Sequence, residues 1–199
     1  MVNIMEVKYL SYPLIESDFP EAICAIGSFD GVHLGHQKVI SIARNQAKEQ
    51  GVYTAVIIFE PHPLAIISPN FAPGRITPLS AKLELLENQG VDICYVFDFT
   101  SSLAGLAETD FVGQVLARMN FRGIVVGFDF SYGKSGTGSA ASLKMQAAAE
   151  SLFTVTVVEP YLMAGAKVSS SRIRDLLSQG EVSEASSLLG RPFAFTGLV

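Results

Sequence analysis

The chain has no tryptophan, only two cysteines and three histidines, and only 17% of its 199 residues are charged. Two cysteines are too few for a disulfide framework or a cysteine-rich metal cluster. Cys24 and Cys94 stand in apolar, strand-like surroundings, which favours two buried thiols over a catalytic or redox role. With 49% hydrophobic residues, the composition excludes disorder over most of the length, and we expect one ordinary domain, or one domain with a tail.

Long apolar runs and an excess of positive charge are also missing. The longest apolar stretches, such as residues 52–59, are far shorter than the roughly 20 residues that cross a bilayer, and no export signal is visible. We therefore expect a cytoplasmic protein that contacts no membrane. The net charge of −5 argues against a nucleic-acid partner, because such a protein needs a basic surface. An anionic ligand then requires a local cluster of positive groups.

Segments rich in β-branched and aromatic residues alternate with segments of helical period. Strands are predicted at residues 22–28, 53–59, 92–98, 123–128 and 153–158. Helices are predicted at residues 34–50, 79–89, 109–120, 139–151, 171–179 and 182–189. Proline-rich residues 61–78 and glycine-rich residues 133–138 are predicted as loops. The alternation predicts an α/β fold, in which a parallel sheet has helices on both faces and binds ligands at the carboxyl ends of its strands.

Two of the three histidines lie in the loop after the first predicted strand, where a helix begins. His33 and His36 are three residues apart, so they share one helix face, and Gly35 between them leaves room for a ligand to approach. Helix N-termini favour phosphate, and histidines there can donate hydrogen bonds to its oxygens. The alternative is a capped helix with two surface histidines and Asp30 as a turn residue. We favour the ligand site, since sheets of this kind bind ligands at such loops.

A second candidate motif precedes the helix predicted at residues 171–179. Three serines at 169–171 are followed by Arg172 and Arg174. One serine is explained as a helix cap. The arginines oppose the helix dipole unless an anion compensates them, so we predict that they form a phosphate-binding cluster together with Lys167. A solvated helix start is the alternative.

Two further loops carry weaker signals. His62 stands between two prolines, which suits a side chain that must be held still and equally suits an ordinary rigid loop. After the fourth predicted strand, Phe128 and Phe130 flank Asp129. These aromatics could stack on a planar ring while the carboxylate orients a polar edge, or they could be core residues of a longer strand. The residues alone leave both alternatives open.

Taken together and in this order, the four motifs resemble the adenylyltransferase module of prokaryotic bifunctional riboflavin kinase/FAD synthetases. The resemblance covers residues from about 22 to 199, although its H-x-G-H element alone is shared with many nucleotidyltransferases and with class I aminoacyl-tRNA synthetases. Ser28 stands where the family often has Asn or Lys, and Ser171 where it often has Thr. Asp129 occupies a position where the family also accepts Asn.

This resemblance implies a Rossmann-like fold of the nucleotidyltransferase type. It also implies a reaction, the transfer of AMP from MgATP to FMN by direct in-line attack, which gives FAD and pyrophosphate without a protein nucleophile. The implied partners are therefore the small molecules ATP and FMN, with Mg²⁺ accompanying ATP and its protein ligands unspecified. Two alternatives remain, a related nucleotidyltransferase such as a cytidylyltransferase, and a non-catalytic module that binds nucleotide or flavin.

The resemblance further implies a role for each motif. The residues implied in catalysis are His33, His36, Ser170, Arg172 and Arg174. The implied ATP-binding residues are Gly27, Ser28, Phe29, Asp30, His33, Gly35, His36, Gly127, Asp129, Ser169, Ser170, Ser171, Arg172 and Arg174. The implied FMN-binding residues are His62, Pro63, Asp129, Phe130 and Tyr132.

The end of the sequence breaks the strand-helix alternation. Residues 1–189 are interpreted as the FMN adenylyltransferase domain. Residues 190–199 form an apolar, strand-like stub that resembles the opening of the riboflavin kinase module of the same enzymes. That module needs roughly another hundred residues, typical of a separate domain. We therefore expect no kinase activity from this chain.

Overall fold

The structure, a computed structural model, describes residues 4–195. The strands are β1 (Glu6–Leu10), β2 (Ala22–Ile26), β3 (Tyr53–Glu60), β4 (Ile93–Asp98), β5 (Phe121–Gly127), β6 (Ser131–Tyr132), β7 (Gly138–Ser139), β8 (Thr154–Val158), β9 (Leu162–Met163) and β10 (Ala166–Lys167). The α-helices are α1 (Leu34–Gln50), α2 (Pro63–Ile67), α3 (Leu79–Asn88), α4 (Ser101–Ala104), α5 (Glu108–Gln114), α6 (Ala140–Ala149), α7 (Ser170–Ser178) and α8 (Val182–Leu189).

Six of these strands form one parallel sheet in the order β1-β4-β3-β2-β5-β8. From β2 the chain first builds outward through β3 and β4, and then returns to the other side of β2 to build β5 and β8. The strand order therefore reverses between β2 and β5. In open α/β sheets the crevice at such a reversal, beyond the carboxyl ends of the strands, is where ligands bind.

Alternate residues of the buried strands point to two separate cores, one on each face of the sheet. In β2, Ile23 and Ala25 pack with Ile40 and Ala43 of α1 on one face. Cys24 and Ile26 belong to the core of the opposite face. The second core is covered by α5 and α6, through residues that include Phe111, Val112, Ala140 and Leu143. Helices on both faces confirm the predicted fold class.

The helices α7 and α8 pack on a third, smaller core beside the sheet. Ile173 from α7 and Leu188 and Leu189 from α8 are buried there against Ile76 and Val168. The predicted bounds of α1 and α8 are confirmed. Residues 191–195 contain no regular element, and the rest of the strand-like stub predicted at 190–199 lies outside the described residues.

Two local predictions are wrong, and one strand was not predicted. The helix predicted at 109–120 is broken, because α5 ends at Gln114 and a 3-10 turn at Leu116–Arg118 follows, which buries Leu116 and Met119 before β5. The stretch 61–78 is not all loop, since Pro63 starts α2 in the first-turn position that proline favours. The strand β1 was not predicted because it is a short edge strand whose side chains are mostly solvent-accessible.

Both cysteines are free and fully buried, as expected for packing thiols. Burial raises the pKa of the Cys24 thiol and raises that of Cys94 to about 12, so neither is a ready nucleophile. Within residues 4–195, no helix is long and apolar enough to span a bilayer.

Candidate active site

A cavity of about 640 Å³ opens at the carboxyl ends of the sheet strands, beside the reversal between β2 and β5. Its lining comes from the loops after β2, β3, β4, β5 and β8, from the start of α1, from the short helices α2, α4 and α5, and from the residues that precede and begin α7. One side belongs to the face of the sheet covered by α1, and the other to the face covered by α5 and α6. A volume of this size is typical of small-molecule sites.

The loop between β2 and α1, residues 27–36, is here called the histidine loop. His33 caps α1, because its Nδ1 accepts a hydrogen bond from the His36 backbone N–H at 3.2 Å. The two imidazole rings are stacked, with centroids 3.6 Å apart and planes 15° from parallel. The prediction that they share one face is therefore confirmed. Since Nδ1 of His33 is an acceptor, its neutral ring carries the proton on Nε2.

Both imidazoles are held in the neutral form. Burial lowers the pKa of His33 to about 4. Burial also lowers the pKa of His36, and the neighbouring His33 adds to this effect. The Nδ1 atom of His36 is buried without a hydrogen-bond partner, which favours a proton on Nε2 there as well. The Phe29 ring meets the His36 ring edge-on at 5.3 Å.

The backbone of the histidine loop is strained. Phe29 and the β-branched Val32 have φ angles of 46° and 40°, in the left-handed region that non-glycine residues rarely adopt. Each costs on the order of 1–3 kcal/mol, and both side chains are only 1% exposed. Hydrogen bonds from Val32 N to Phe29 O at 3.1 Å and from Gln37 Nε2 to Val32 O at 2.9 Å hold the turn. Packing therefore stabilises a conformation that the local sequence disfavours.

Gly35 lies against the His33 ring rather than beside open space. A Cβ at Gly35 would lie 3.1 Å from Cε1 of the His33 ring. The expected room for a ligand above this glycine is therefore partly filled by an imidazole. The absence of a side chain allows the close packing of His33 on its own helix.

The N-terminus of α7 contributes serines to the cavity. Ser169 caps the helix by accepting a hydrogen bond from the Arg172 backbone N–H at 3.2 Å, which confirms the capping explanation for one serine. The hydroxyl of Ser170 donates to the Asp30 carbonyl oxygen at 2.9 Å. All three serines, 169–171, line the cavity, so α7 and the histidine loop are directly connected there.

The two arginines of α7 are not among the lining residues. Arg172 Nη2 lies 2.7 Å from Glu184 Oε1, and Arg174 Nη2 lies 2.6 Å from Asp30 Oδ2. An anion was expected to compensate the positive charge of these arginines at the start of α7. The carboxylates of Glu184 and Asp30 are those anions. Lys167 does line the cavity, with Nζ 2.5 Å from an oxygen of Asp129 and 4.5 Å from the centroid of the Phe128 ring.

On the opposite side, five rings form what we call the aromatic wall: Phe59, Phe99, Phe111, Phe130 and Tyr132. Phe130 and Tyr132 stack with centroids 5.6 Å apart and planes at 18°, and Phe59 meets Phe99 edge-on at 5.6 Å. Phe128 is 41% exposed, so its alternative role as a core residue is wrong. The sequence analysis did not identify Phe59, Phe99 and Phe111. Phe59 lies near the end of β3, and Phe99 directly follows the neighbouring strand β4.

His62 and Pro63 border the same cavity at the start of α2. His62 caps this short helix, because its Nδ1 accepts from Leu64 N at 3.2 Å. Partial burial lowers the pKa of His62, and the positive charge of Arg174 adds to this. His62 is therefore both a structural cap and a cavity-lining group.

Sequence reasoning also missed Lys82 in α3. It is only 6% exposed, and its ammonium donates to the Ser28 carbonyl oxygen at 3.0 Å, beneath the histidine loop. Burial lowers its pKa, while the negative charge of Asp30 opposes that shift. The sequence could have indicated its burial, because Lys82 lies on the apolar stripe of the amphipathic helix α3.

Most of the predicted site residues surround this one cavity. Those that line it are Gly27, Ser28, Phe29, His33, Gly35, His36, His62, Pro63, Gly127, Asp129, Phe130, Tyr132, Ser169, Ser170 and Ser171. Asp30, Arg172 and Arg174 are not among the lining residues, and their side chains form the ion pairs described above. Within the described part of the chain, no group of three or more His, Cys, Asp or Glu side chains is arranged to hold a metal ion.

The chain is similar to known proteins in sequence and in fold. Residues 15–172 match the family model described as FAD synthetase. Proteins named bifunctional riboflavin kinase/FMN adenylyltransferase are 39% identical in Listeria monocytogenes and 37% identical in Bacillus subtilis, each over 98% of this chain. The protein of that name from Escherichia coli is 32% identical over 92% of this chain. The chain spans 62%, 62% and 59% of the lengths of these relatives.

Solved structures support the fold. A crystal structure described as a macrolide-efflux protein from Streptococcus pneumoniae matches with a TM-score of 0.79 and 28% identity, over 93% of this chain and 60% of that one. A pantoate-beta-alanine ligase from Francisella tularensis, complexed with beta-gamma ATP and beta-alanine, matches with a TM-score of 0.55 and 13% identity, over 98% of this chain and 90% of that one. The second likeness concerns the fold alone.

Proposed function

Because the chain belongs to the FAD synthetase family, we propose that it transfers AMP from ATP to the phosphate of FMN, releasing FAD and pyrophosphate. One observation carries this proposal. A single cavity at the sheet reversal has paired imidazoles and a helix N-terminus on one side and an aromatic wall on the other. A reaction that joins a nucleotide phosphate to a flavin phosphate requires both surfaces to face one space.

On the polar side, the proposed ATP site is formed by the histidine loop, Gly127 and Asp129, and the serines at 169–171. The Nε2–H groups of His33 and His36 are suited to donate hydrogen bonds to phosphate oxygens, because both Nδ1 atoms are used or buried inside the loop. Donors fixed in advance stabilise the charge that develops around the α-phosphorus in the transition state. The serine hydroxyls and the N–H groups that begin α7 suit the remaining phosphates.

On the other side, the proposed FMN site is the aromatic wall with His62 and Pro63. Stacked rings offer a flat apolar surface for an isoalloxazine, and such contacts are worth about 0.5–1.5 kcal/mol each beyond area burial. The side chain of Asp129 lies between the two sides and is 58% exposed. It is suited to accept a hydrogen bond from a polar edge of either substrate.

The proposed reaction needs no protein nucleophile. An oxygen of the FMN phosphate attacks the α-phosphorus of ATP, and the bond from that phosphorus to the bridging oxygen of pyrophosphate breaks. The attacking phosphate is already an anion near pH 7, so no side chain has to remove a proton from it. The protein contributes alignment of the two phosphates and fixed hydrogen-bond donors.

We propose that Mg²⁺ enters with ATP as part of the substrate. Magnesium commonly keeps several waters and is bound through substrate phosphates rather than through a dedicated protein cage. Bound there, the ion supplies positive charge to the leaving pyrophosphate. The side chains of the cavity orient the phosphates around it.

The test is to incubate the purified chain with FMN, ATP and Mg²⁺ and to separate the flavins by chromatography. FAD and pyrophosphate are expected in equal amounts. Replacing FMN with riboflavin distinguishes adenylylation from phosphorylation, and replacing ATP with CTP tests for a cytidylyltransferase. A lack of FAD at micromolar enzyme, or a preference for CTP, would overturn the proposal.

A further inference from the structure

The carboxylate of Asp30 is the most densely bonded polar group behind the cavity. Its side chain is 3% exposed and lies 2.6 Å from Nη2 of Arg174. It also accepts hydrogen bonds from the backbone N–H groups of Ile76 and Thr77, each at 3.1 Å. These partners come from two segments that are 46 and 144 residues away along the chain.

The surrounding contacts bring the same three segments together. The guanidinium of Arg174 also donates from Nε to the Gly74 carbonyl oxygen at 2.7 Å. The Gly31 backbone N–H donates to Thr77 Oγ1 at 3.1 Å, and Ser170 Oγ donates to the Asp30 carbonyl oxygen at 2.9 Å. The histidine loop, residues 74–77 and α7 are therefore held together around the buried carboxylate of Asp30.

We propose that Asp30 and Arg174 are a positioning pair that fixes the serines of α7 relative to His33 and His36. This inference rests on the proposed function, because the distance that the pair sets matters only if both groups hold the same triphosphate. It adds a positioning role to the roles that the resemblance implies, which are phosphate binding for Arg174 and a place in the lining of the nucleotide site for Asp30.

Charge and geometry both support a positioning role. The pair is of opposite sign at 2.6 Å, so its net field at the cavity is small. Arg174 uses two guanidinium nitrogens for two different acceptors, Asp30 and Gly74. A lysine would keep the positive charge but lose this fork. Arg174→Lys therefore separates a role in geometry from a role in charge.

The experiment measures kcat and the KM values of ATP and FMN for Arg174→Lys, Arg174→Gln, Asp30→Asn and the Asp30→Asn/Arg174→Gln double variant. We expect each single variant to lower kcat/KM for ATP by about 10-fold to 100-fold, the size of a lost buried charge-assisted contact. The KM of FMN should stay within about twofold. The double variant should be no worse than the poorer single variant, because partners in one pair are not additive.

A matched control is Arg122→Gln, which removes an exposed ion pair of 2.7 Å with Glu21, away from the cavity lining. It should leave all three kinetic parameters unchanged. Thermal unfolding of every variant shows whether it is folded. If Asp30→Asn does not fold, Thr77→Val provides the second test, since it removes the acceptor for Gly31 N–H and should also weaken ATP use selectively.

Two results would overturn the inference. Arg174→Lys with wild-type kcat/KM for ATP would mean that charge suffices, and single effects that multiply in the double variant would mean that the residues act separately. Isothermal titration calorimetry with a non-hydrolysable ATP analogue measures nucleotide binding to each variant without the transfer reaction. If the wild-type chain makes no FAD, the proposed function fails, while weaker analogue binding by Arg174→Lys and Arg174→Gln still supports the positioning pair.

Discussion

The two sides of the cavity are built on different principles. The histidine loop is strained, buried and connected by hydrogen bonds to segments far away in the chain, through Asp30 and Lys82. The aromatic wall is a set of ring contacts at 5.6–5.7 Å with no comparable network of buried charges. The histidine loop fixes the directions of hydrogen bonds, whereas the aromatic wall offers a flat apolar surface.

The two sides therefore make different contributions to a reaction between two substrates. Fixed hydrogen-bond donors lower the activation barrier only if they already point to where charge develops in the transition state. This requirement explains why the loop contains strained backbone at Phe29 and Val32. An apolar surface needs only shape and area to bind a planar ring. We therefore expect changes in the histidine loop to affect kcat, and changes in the aromatic wall to affect the KM of FMN.

The largest effect is expected for His36→Ala. Loss of one fixed donor at the transition state should lower kcat by about 100-fold to 1000-fold, with little change in the KM of FMN. Stability should change by about 1 kcal/mol, since the residue is only partly buried. Steady-state kinetics and denaturant unfolding measure the two quantities.

His36→Asn is a useful companion, because it keeps a polar side chain without the imidazole. A large loss of stability with normal turnover for His36→Ala would show that the stacked rings are structural. That outcome would remove the proposed difference between the two sides of the cavity.

The next effect concerns acid stability and comes from His33. Its folded pKa is about 4, below that of an ordinary histidine, because burial disfavours the charged form. Below about pH 6.5 the unfolded chain binds a proton that the folded chain does not. The free energy of unfolding should therefore fall as the pH is lowered from 6.5 to 4, by about 3 kcal/mol for this group.

Urea unfolding at pH 7, 5.5 and 4.5 measures this loss, and His33→Asn is the matched control. Asparagine can still accept the hydrogen bond that caps α1 but does not titrate. The difference in stability between wild type and His33→Asn should move in favour of the variant as the pH falls. A constant difference across the three pH values would contradict the assignment of a buried neutral imidazole.

Local patterns in the sequence predicted the parts of the site that depend on near neighbours. The spacing of His33 and His36 at a helix start required a shared face, and one of the three serines was expected to cap the following helix. The alternation of strands and helices predicted the parallel sheet and the edge at which the cavity opens. Each of these inferences involves residues within a few positions of one another or a regular repeat.

The parts that could not be predicted depend on contacts between distant segments. Nothing near Arg174 indicated that its anion would be Asp30, which is 144 residues away. Likewise Phe59 and Phe99 become neighbours only because β3 and β4 pair in register. The sequence predicted a basic cluster near the serines. Arg172 and Arg174 pair with carboxylates outside the lining, and Lys167 is the member of the cluster that lines the cavity.

The smallest effects are expected on the aromatic wall, where Phe130→Ala should raise the KM of FMN by about 10-fold and leave the KM of ATP and kcat within about twofold. The ring stacks on Tyr132 at 5.6 Å and lines the cavity, so its loss removes roughly one aromatic contact and some apolar area. Leu64→Ala is the graded control, because this side chain lines the same cavity and is 39% exposed. It should raise the KM of FMN by only about twofold and change stability by less than about 0.5 kcal/mol. If Phe130→Ala lowered kcat with the KM of FMN unchanged, the wall would be aligning the flavin phosphate for attack, and the two sides would share the task assigned here to the histidine loop.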